Sequence, residues 1–288
     1  MPITFAASGP MLITGQTPSA EAAAFLARTT GTLSNAETQG YIACINYWVT
    51  QGVFSMLDAA YIFATNSRSN ALLSLINATY NATEIGTLTF TADSGFNSTS
   101  QLSGTSWIDT NFNPSTAPTP HYRAGSAMVG AYTILDNAAD NQGSLFSSAS
   151  GDGQGDIIRI RDTSDQAGVC VQAAFYGAQF SNVSTKGCYA LLRNGVLAFN
   201  TSLTSFKNET IMTGPDAPGS GGFSVRNSNM LFLGLNASTP DISSTSSTVS
   251  AGFIGGGDGV GTGNTNAQII AICHGLNLYM TSIGVNAY

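Results

Sequence analysis

Charged side chains are scarce in this chain. They make up 9% of its 288 residues, whereas an average soluble domain carries about 25%. The nine Lys plus Arg form no cluster, which excludes the cationic groove that nucleic-acid binding requires. Disordered chains are rich in charge and poor in apolar residues, so the 43% hydrophobic content excludes that class as well. We therefore expect a folded protein with hydroxyl and amide surfaces and no nucleic acid among its partners.

Long apolar runs are also missing. No stretch reaches the roughly 18–20 residues of a membrane-spanning helix, which predicts no membrane insertion. The first twenty residues have neither a cationic region nor a long apolar core, so we expect no secretory signal. We therefore predict that the protein folds in the cytoplasm of its host.

The acidic pairs of glycoside hydrolases are absent too. Retaining hydrolysis needs two carboxylates about 5.5 Å apart, often on one strand as E-x-D-x-E, because alternate residues share a face. None of the glutamates has an acidic residue two positions away: Glu21, Glu37, Glu84 and Glu209. A pair assembled from distant loops, with Glu84 and Glu209 as candidates, is the remaining hydrolase interpretation. His121 and His274 could serve a serine nucleophile, but the sequence has no G-x-S-x-G elbow. We therefore predict that the protein is not an enzyme.

The four cysteines, Cys44, Cys170, Cys188 and Cys273, match no zinc spacing. One interpretation pairs Cys170 with Cys188 on neighbouring strands. The other treats all four as small buried hydrophobic residues.

The N-terminal segment has helical signals. Thr17-Pro18 predicts a helix start before the alanine-rich Ala20–Ala27. Ser34 and Glu37 form a capping box, and the apolar residues after it recur at helical spacing up to Gly52. We predict a helix over Ser34–Gln51. Its apolar stripe either packs on the chain's own core or docks onto another subunit.

The remainder predicts short strands separated by Gly, Asn, Asp and Ser, which is typical of an antiparallel sandwich. The candidates are Tyr61–Ala64, Phe90–Ala92, Trp107–Phe112, Ala127–Leu135, Gly143–Ser148, Asp156–Arg161, Val169–Tyr176, Tyr189–Arg193, Val196–Asn200, Phe223–Val225, Met230–Leu235, Ser250–Ile254 and Gln268–Cys273. Asn194-Gly195 predicts a type I′ hairpin turn, and Ala71–Ile76 predicts a helical turn or a short helix.

One segment carries a family resemblance. Phe90–Pro114 reads as strand, polar loop and strand, and it ends in I-D-T-x-F-x-P. It resembles the start of laminin-G-like, concanavalin-A-like jelly-roll domains, in particular those of bacteriophage virions and prophages. Leu57–Phe63 and the tail from Ala271 are similar to the same family. The resemblance implies a mainly β fold: an N-terminal arm and helical segment over 1–60, then an antiparallel jelly-roll β-sandwich over 61–288. The family's C-terminal helix usually has an acidic start, which this tail lacks.

Two kinds of binding site are candidates. Asp152 and Asp156 lie in the densest acidic region, and calcium prefers six to eight oxygen ligands, so this region is either a calcium site or a polar turn. No other cofactor is indicated. Sugar-binding modules stack sugar rings on exposed aromatic residues. The candidates by residue type are Trp107, Tyr122, Tyr132 and Tyr176.

Two functions follow as hypotheses. The first is a non-enzymatic bacteriophage virion structural protein, such as a capsid decoration, head fibre or tail fibre component. It would sit on the particle with other virion proteins and form a homo-oligomer. The alternative is a carbohydrate-binding or receptor-binding module for host-surface glycans.

Overall fold

The computed structural model describes residues 15–98, 106–136, 145–148, 154–160, 166–174, 178–182, 184–194, 203–212, 225–234, 247–257 and 265–285. The helices are α1 (Ala20–Leu26), α2 (Asn35–Thr50), α3 (Arg68–Ala71) and α4 (Asn266–Ser282). The strands are β1 (Leu57–Ile62), β2 (Thr83–Ile85), β3 (Thr89–Thr91), β4 (Gly95–Asn97), β5 (Trp107–Asp109), β6 (Ser126–Thr133), β7 (Phe146–Ser147), β8 (Gln154–Arg159), β9 (Gln166–Ala174), β10 (Ala178–Ser181), β11 (Gly187–Asn194), β12 (Leu203–Lys207), β13 (Thr210–Met212), β14 (Leu231–Phe232), β15 (Thr248–Val249) and β16 (Ala251–Gly255).

The strands form two large antiparallel sheets and one small one. The six-stranded sheet has the order β1-β16-β6-β11-β12-β13, and the seven-stranded sheet has the order β10-β9-β8-β7-β14-β5-β2. A third sheet has the order β15-β4-β3. Crossing connections between non-consecutive strands, such as β1 beside β16, are typical of sandwiches. The predicted mainly β, antiparallel sandwich class is confirmed.

Alternation along the central strands explains why the six-stranded sheet is buried on both faces. In β11, Tyr189 and Leu191 contact the core shared with the seven-stranded sheet. Cys188, Ala190 and Leu192 point to the opposite face and contact the helices. Successive side chains of a strand point to opposite faces, so both sets of apolar residues find a buried surface. The result is three layers: helices, six-stranded sheet and seven-stranded sheet.

The two N-terminal helices, α1 and α2, begin close to where the local sequence predicts. In α2 the Ser34 hydroxyl accepts from the Glu37 N–H, and the Glu37 carboxylate accepts from the Ser34 N–H, 2.8 Å away. This capping box satisfies two free backbone donors. The predicted helix over Ser34–Gln51 is therefore confirmed, and its stripe packs on the chain's own sheet and α4. The alanine-rich helix is also present, but Ser19 caps it instead of Thr17.

Several local predictions are wrong. Gln268–Cys273 is not a strand, because Thr265 and Gln268 form a second capping box that starts α4. The first strand begins at Leu57, so the predicted boundary after residue 60 falls inside β1. A short helix is present near the predicted Ala71–Ile76, but it lies earlier in the chain, because α3 begins at Arg68 and ends at Ala71.

The hairpin prediction also fails. The residue opposite Arg193 is Leu203 and not Val196, which a two-residue turn at Asn194-Gly195 would require. A type I′ turn there would place Val196 opposite Arg193. The predicted strand Val196–Asn200 and most of Phe223–Val225 lie outside the described residues.

Among the described residues, none of the helices is long and apolar enough to span a membrane.

Candidate functional site

Of the sugar-binding candidates among the described residues, Trp107 alone lies near the surface. It opens β5, whose three residues alternate between two faces. Ile108 is fully buried in the sandwich core, whereas Trp107 and Asp109 are partly exposed on the other face. Residues two apart on a strand share a face at a separation of about 7 Å. An indole and a carboxylate therefore stand side by side on the outer face of the seven-stranded sheet.

The edge strand β2 extends this surface. Thr83 is paired with Asp109 and Ile85 with Trp107, so both project on the same outer face. On the other side of β5, Leu231 is the partner of Asp109. The exposed Thr83 therefore adds a hydroxyl group to the surface that Trp107 and Asp109 form.

Asn229 and Asn111 orient the Asp109 carboxylate. The Asn229 amide donates to its two oxygens at 2.9 and 3.1 Å, and the Asn111 backbone N–H donates to Oδ1 at 2.8 Å. Asn111 has φ 55°, in the left-handed region that asparagine tolerates better than most residues. Its own side-chain amide donates to the Asn81 carbonyl and to the Thr83 hydroxyl, at 2.8 and 2.9 Å.

A second pair of asparagines, each two residues from a member of the first group, is hydrogen-bonded separately. The Asn113 side-chain amide donates to Asn227 Oδ1 at 2.9 Å, and Asn113 Oδ1 accepts from the Ser115 N–H at 3.0 Å. We call the following set the asparagine corner: Asp109, Asn111, Asn113, Asn227 and Asn229. All five are partly or fully exposed. The corner therefore presents amide and carboxylate groups that are already held in place by one another.

Trp107 also differs from the other tryptophan of the chain. Trp48 is fully buried in the helix layer. Gly234 lies against Trp107, since a Cβ on that glycine would be 2.7 Å from the Trp107 Cβ. The chain that follows β14 therefore passes close beside the indole only because position 234 has no side chain.

Tyr122 and Tyr132 are corrections to the sequence-based site. They are 1% and 0% exposed, so neither offers a ring face to a ligand. The Tyr122 hydroxyl donates to both oxygens of Asp156 at 2.6 and 2.7 Å, and the Tyr132 hydroxyl donates to Asn277 Oδ1 at 3.0 Å. Both tyrosines are buried with satisfied hydroxyls. Residue type alone predicted them as binding residues, and Tyr176 lies outside the described residues.

Asp156 does not lie at a loop rim, as the calcium interpretation required. It is 1% exposed and accepts hydrogen bonds from the Tyr122 and Ser148 hydroxyls. Its sequence partner Asp152 lies outside the described residues. Within the described part of the chain, no three His, Cys, Asp or Glu side chains come together as metal ligands. The Asp156 carboxylate is thus a buried structural acceptor.

Another internal carboxylate, Asp58, fixes the loop before β6. It accepts the backbone N–H groups of His121 and Tyr122 at 2.7 and 2.8 Å. Burial raises the pKa of Asp58, and these two N–H groups oppose that shift. The loop therefore rests on β1, and the Tyr122 ring enters the core.

The two glutamates named for a distant hydrolytic pair lie in different layers. Glu84 is in β2 of the seven-stranded sheet, where it forms an ion pair with Arg68. Glu209 is in the turn between β12 and β13 and pairs with His274 of α4, at 3.0 Å. The two carboxylates therefore belong to different sheets and to different ion pairs.

Sequence reasoning missed the asparagine corner. The signal was present as two short asparagine-rich stretches, N-F-N after β5 and N-S-N before β14. Asparagine side chains favour turns and hydrogen-bond nearby backbone groups. Their convergence depends on the pairing of β5 with β14, which local sequence does not reveal.

Comparisons with known proteins define the fold and not the family. No family model and no curated protein matches the chain. Among solved structures, a mutant of Trypanosoma rangeli sialidase displaying trans-sialidase activity is similar with a TM-score of 0.51 and 11% identity. The match covers 84% of this chain and 40% of the sialidase, so the chain spans less than half of that protein.

Two further similar structures are carbohydrate complexes with lower scores. The CBM40 of Ruminococcus gnavus IT-sialidase bound to alpha2,3 sialyllactose has a TM-score of 0.41 and 13% identity, covering 60% of this chain and 94% of that one. The second is domain 4 of AbnA, a GH43 extracellular arabinanase from Geobacillus stearothermophilus, in complex with arabinotriose. It has a TM-score of 0.41 and 13% identity, and the match covers 75% of this chain and 98% of that domain.

Proposed function

We propose that this protein is a non-enzymatic glycan-binding protein and that Trp107 and the asparagine corner form its binding surface. The observation that carries the proposal is the position of Trp107 and Asp109 on one outer face of β5, beside the hydrogen-bonded amides of Asn111 and Asn229. Sugars present apolar C–H faces and a rim of hydroxyl groups. An aromatic ring next to oriented amides and carboxylates complements both features.

The charge pattern fits neutral or weakly charged sugars. The chain has few cations, so long-range attraction of a polyanion contributes little. The asparagine corner supplies donors and acceptors without net charge beyond Asp109. Specificity then comes from the geometry of hydrogen bonds, and the bound sugar ring contributes contact area on Trp107.

We also propose that the protein binds glycans without calcium. Asp156 is the candidate calcium ligand that the structure describes, and its carboxylate oxygens accept hydrogen bonds from the Tyr122 and Ser148 hydroxyls. The corner itself contains one carboxylate, whereas calcium sites use several oxygen ligands. Glycan binding is therefore expected to be unchanged by a chelator.

Absence of catalysis is supported by the placement of the carboxylates. Glu84 and Glu209 are engaged with Arg68 and His274 in different layers. Among the described residues, Asp109 is hydrogen-bonded to Asn111 and Asn229 and not to a second carboxyl group. Glycoside hydrolysis generally needs two carboxyl groups facing one bond.

A glycan array tests the proposal. The array should contain sialyllactose and arabinotriose, the sugars in the similar complexes, together with bacterial surface polysaccharides. Wild-type protein is compared with Trp107→Ala and with Tyr47→Ala, which removes a half-buried aromatic residue on the helix layer. We expect a discrete set of ligands that Trp107→Ala loses and Tyr47→Ala keeps. An array without any ligand, or ligands retained by Trp107→Ala, would refute it.

We also propose a place for the protein on a bacteriophage particle, as a capsid decoration or as a head or tail fibre component, with other virion proteins and further copies of itself as partners. The support is the jelly-roll resemblance of Phe90–Pro114 and the low-charge surface. Host-surface glycans would then be the natural ligands of the Trp107 surface. Mass spectrometry of purified particles tests this placement, and absence of the chain from them would contradict it.

A further inference from the structure

Two thiols meet between the six-stranded sheet and the helix layer. The sulfur of Cys188 in β11 lies 3.0 Å from the sulfur of Cys273 in α4. Both residues are 0% exposed. The sulfurs of a disulfide are about 2.05 Å apart, so a displacement of about 1 Å separates this contact from a covalent bond.

The surrounding contacts hold the two sulfurs in register. Cys188 is directly opposite Tyr132 in the pairing of β11 with β6. Asn277, one helical turn after Cys273, accepts a hydrogen bond from the Tyr132 hydroxyl at 3.0 Å. Residues four apart lie on one helix face. Two neighbouring positions of α4 therefore face two neighbouring positions of the sheet.

Both sides of the thiol pair are fixed independently. The Cys188 N–H donates to Asn208 Oδ1 at 2.9 Å. On the helix side, the Trp48 indole N–H donates to the Ile272 carbonyl, next to Cys273, at 3.1 Å. These bonds hold the backbone at Cys188 and next to Cys273 in place.

We propose that Cys188 and Cys273 form a disulfide that covalently attaches α4 to the six-stranded sheet under oxidising conditions. This pairing replaces the pairing of Cys170 with Cys188 that the sequence suggested. Cys188 points to the helix layer. Cys170 belongs to β9 of the seven-stranded sheet, on the other side of the six-stranded one.

The reaction is thiol–disulfide exchange with a small disulfide such as oxidised glutathione. One cysteine thiolate attacks the small disulfide, forming a mixed disulfide and releasing one small thiolate. The second cysteine thiolate then attacks the protein sulfur of that mixed disulfide and releases the second small thiolate. The two cysteine protons end on the two released thiolates, so two thiols are oxidised while one small disulfide is reduced.

Formation is expected during folding. Burial raises the pKa of the Cys188 thiol well above its ordinary value, so little thiolate exists in the folded core. A folded, reduced sample therefore oxidises slowly, whereas refolding in a glutathione mixture exposes both thiols to the oxidant.

Peptide mapping is the direct test. Full-length wild-type protein is refolded with reduced and oxidised glutathione, denatured, alkylated and digested, and the disulfide-linked peptides are identified by mass spectrometry. We expect a linked pair that contains Cys188 and Cys273. Complete alkylation of both cysteines, or a linked pair of Cys170 with Cys188, would overturn the proposal.

Thermal unfolding supplies a second readout. The oxidised protein is expected to melt about 5 °C above the same sample after reduction. That difference should vanish in Cys188→Ala and in Cys273→Ala and remain in Cys44→Ala and Cys170→Ala. Because each variant is compared with itself, loss of packing does not obscure the result. A difference that survives Cys273→Ala would contradict the assigned pair.

Discussion

The indole N–H of Trp48 in α2 donates a hydrogen bond to the backbone carbonyl of Ile272 in α4, with 3.1 Å between the nitrogen and the oxygen. Gly275 lies under the same indole, because a Cβ at that position would stand 2.1 Å from the indole nitrogen. The two helices can therefore approach closely only because position 275 has no side chain. This contact joins the N-terminal and C-terminal ends of the described chain into one helix layer.

Gly275→Ala is expected to lower the free energy of unfolding by about 2 kcal/mol, because the added methyl must displace the Trp48 ring. Urea unfolding followed by fluorescence measures the change. Asn266→Ala, at an exposed position of the same helix, is the control and should change stability by less than about 0.5 kcal/mol. Equal effects of the two substitutions would show that the close approach does not matter.

Thr265→Ala tests the start of α4. The Thr265 hydroxyl accepts from the Gln268 N–H, and the Gln268 side chain accepts from the Thr265 N–H. Loss of a threonine cap typically costs about 1 kcal/mol. Thermal unfolding should therefore show a lower Tm for Thr265→Ala. Thr281→Ala, near the other end of the helix, should leave the Tm close to that of the wild type.

Tyr122→Phe tests the buried carboxylate of Asp156. The substitution removes a hydroxyl that donates to both Asp156 oxygens, and a buried acceptor that loses a donor costs about 1–3 kcal/mol. Denaturant unfolding at neutral pH is the measurement. Tyr80→Phe removes a hydroxyl from a partly exposed tyrosine and serves as the matched control. An unchanged unfolding midpoint for Tyr122→Phe would show that the hydrogen bonds from Tyr122 to Asp156 do not stabilise the core.

Asp136→Asn should weaken the protein in a pH-dependent way. The Thr185 N–H donates to the Asp136 carboxylate at 2.7 Å and the Ser184 hydroxyl at 3.0 Å. Burial raises the pKa of Asp136, but these donors outweigh it, so the pKa is lowered. A lowered folded-state pKa gives stability that is present above the unfolded pKa of about 3.9 and is lost as pH falls through the folded value.

We therefore expect Asp136→Asn to cost about 0.5 kcal/mol near pH 7, a small effect because the carboxylate is largely exposed to solvent. The difference from the wild type should disappear in acid, below the folded pKa. Urea unfolding at both pH values measures it. Lys186→Ala, which removes a cation 4.0 Å from the carboxylate, should have less effect. A difference independent of pH would mean that the charge of Asp136 is irrelevant.

Local signals in the sequence predicted α2 well and α4 poorly. The Ser34 and Glu37 capping box predicts α2 without reference to the rest of the chain. Thr265 and Gln268 form the same kind of box at α4, but the Q-I-I-A-I-C stretch also has the composition of a strand. Packing against Trp48 decides between the two, and that contact joins residues 224 positions apart.

The candidate site was only partly predictable for a similar reason. By residue type alone, Trp107, Tyr122 and Tyr132 were equally good candidates for sugar binding. The helix layer buries the face of the six-stranded sheet that carries Tyr132, and the core between the sheets buries Tyr122. Only Trp107 remains near the surface. Which face of a strand is covered depends on layers formed by distant segments, and periodicity along one strand does not contain that information.

Tryptophan fluorescence gives the most direct test of glycan binding at Trp107. The chain has two tryptophans, and Trp48 is fully buried. The strongest glycan from the array is titrated into wild-type protein and into Trp107→Phe, with isothermal titration calorimetry in parallel. We expect a saturable emission change in the wild type that Trp107→Phe lacks, with affinity reduced about tenfold in the variant. Equal affinity in both proteins, with no emission change, would contradict glycan binding at this surface.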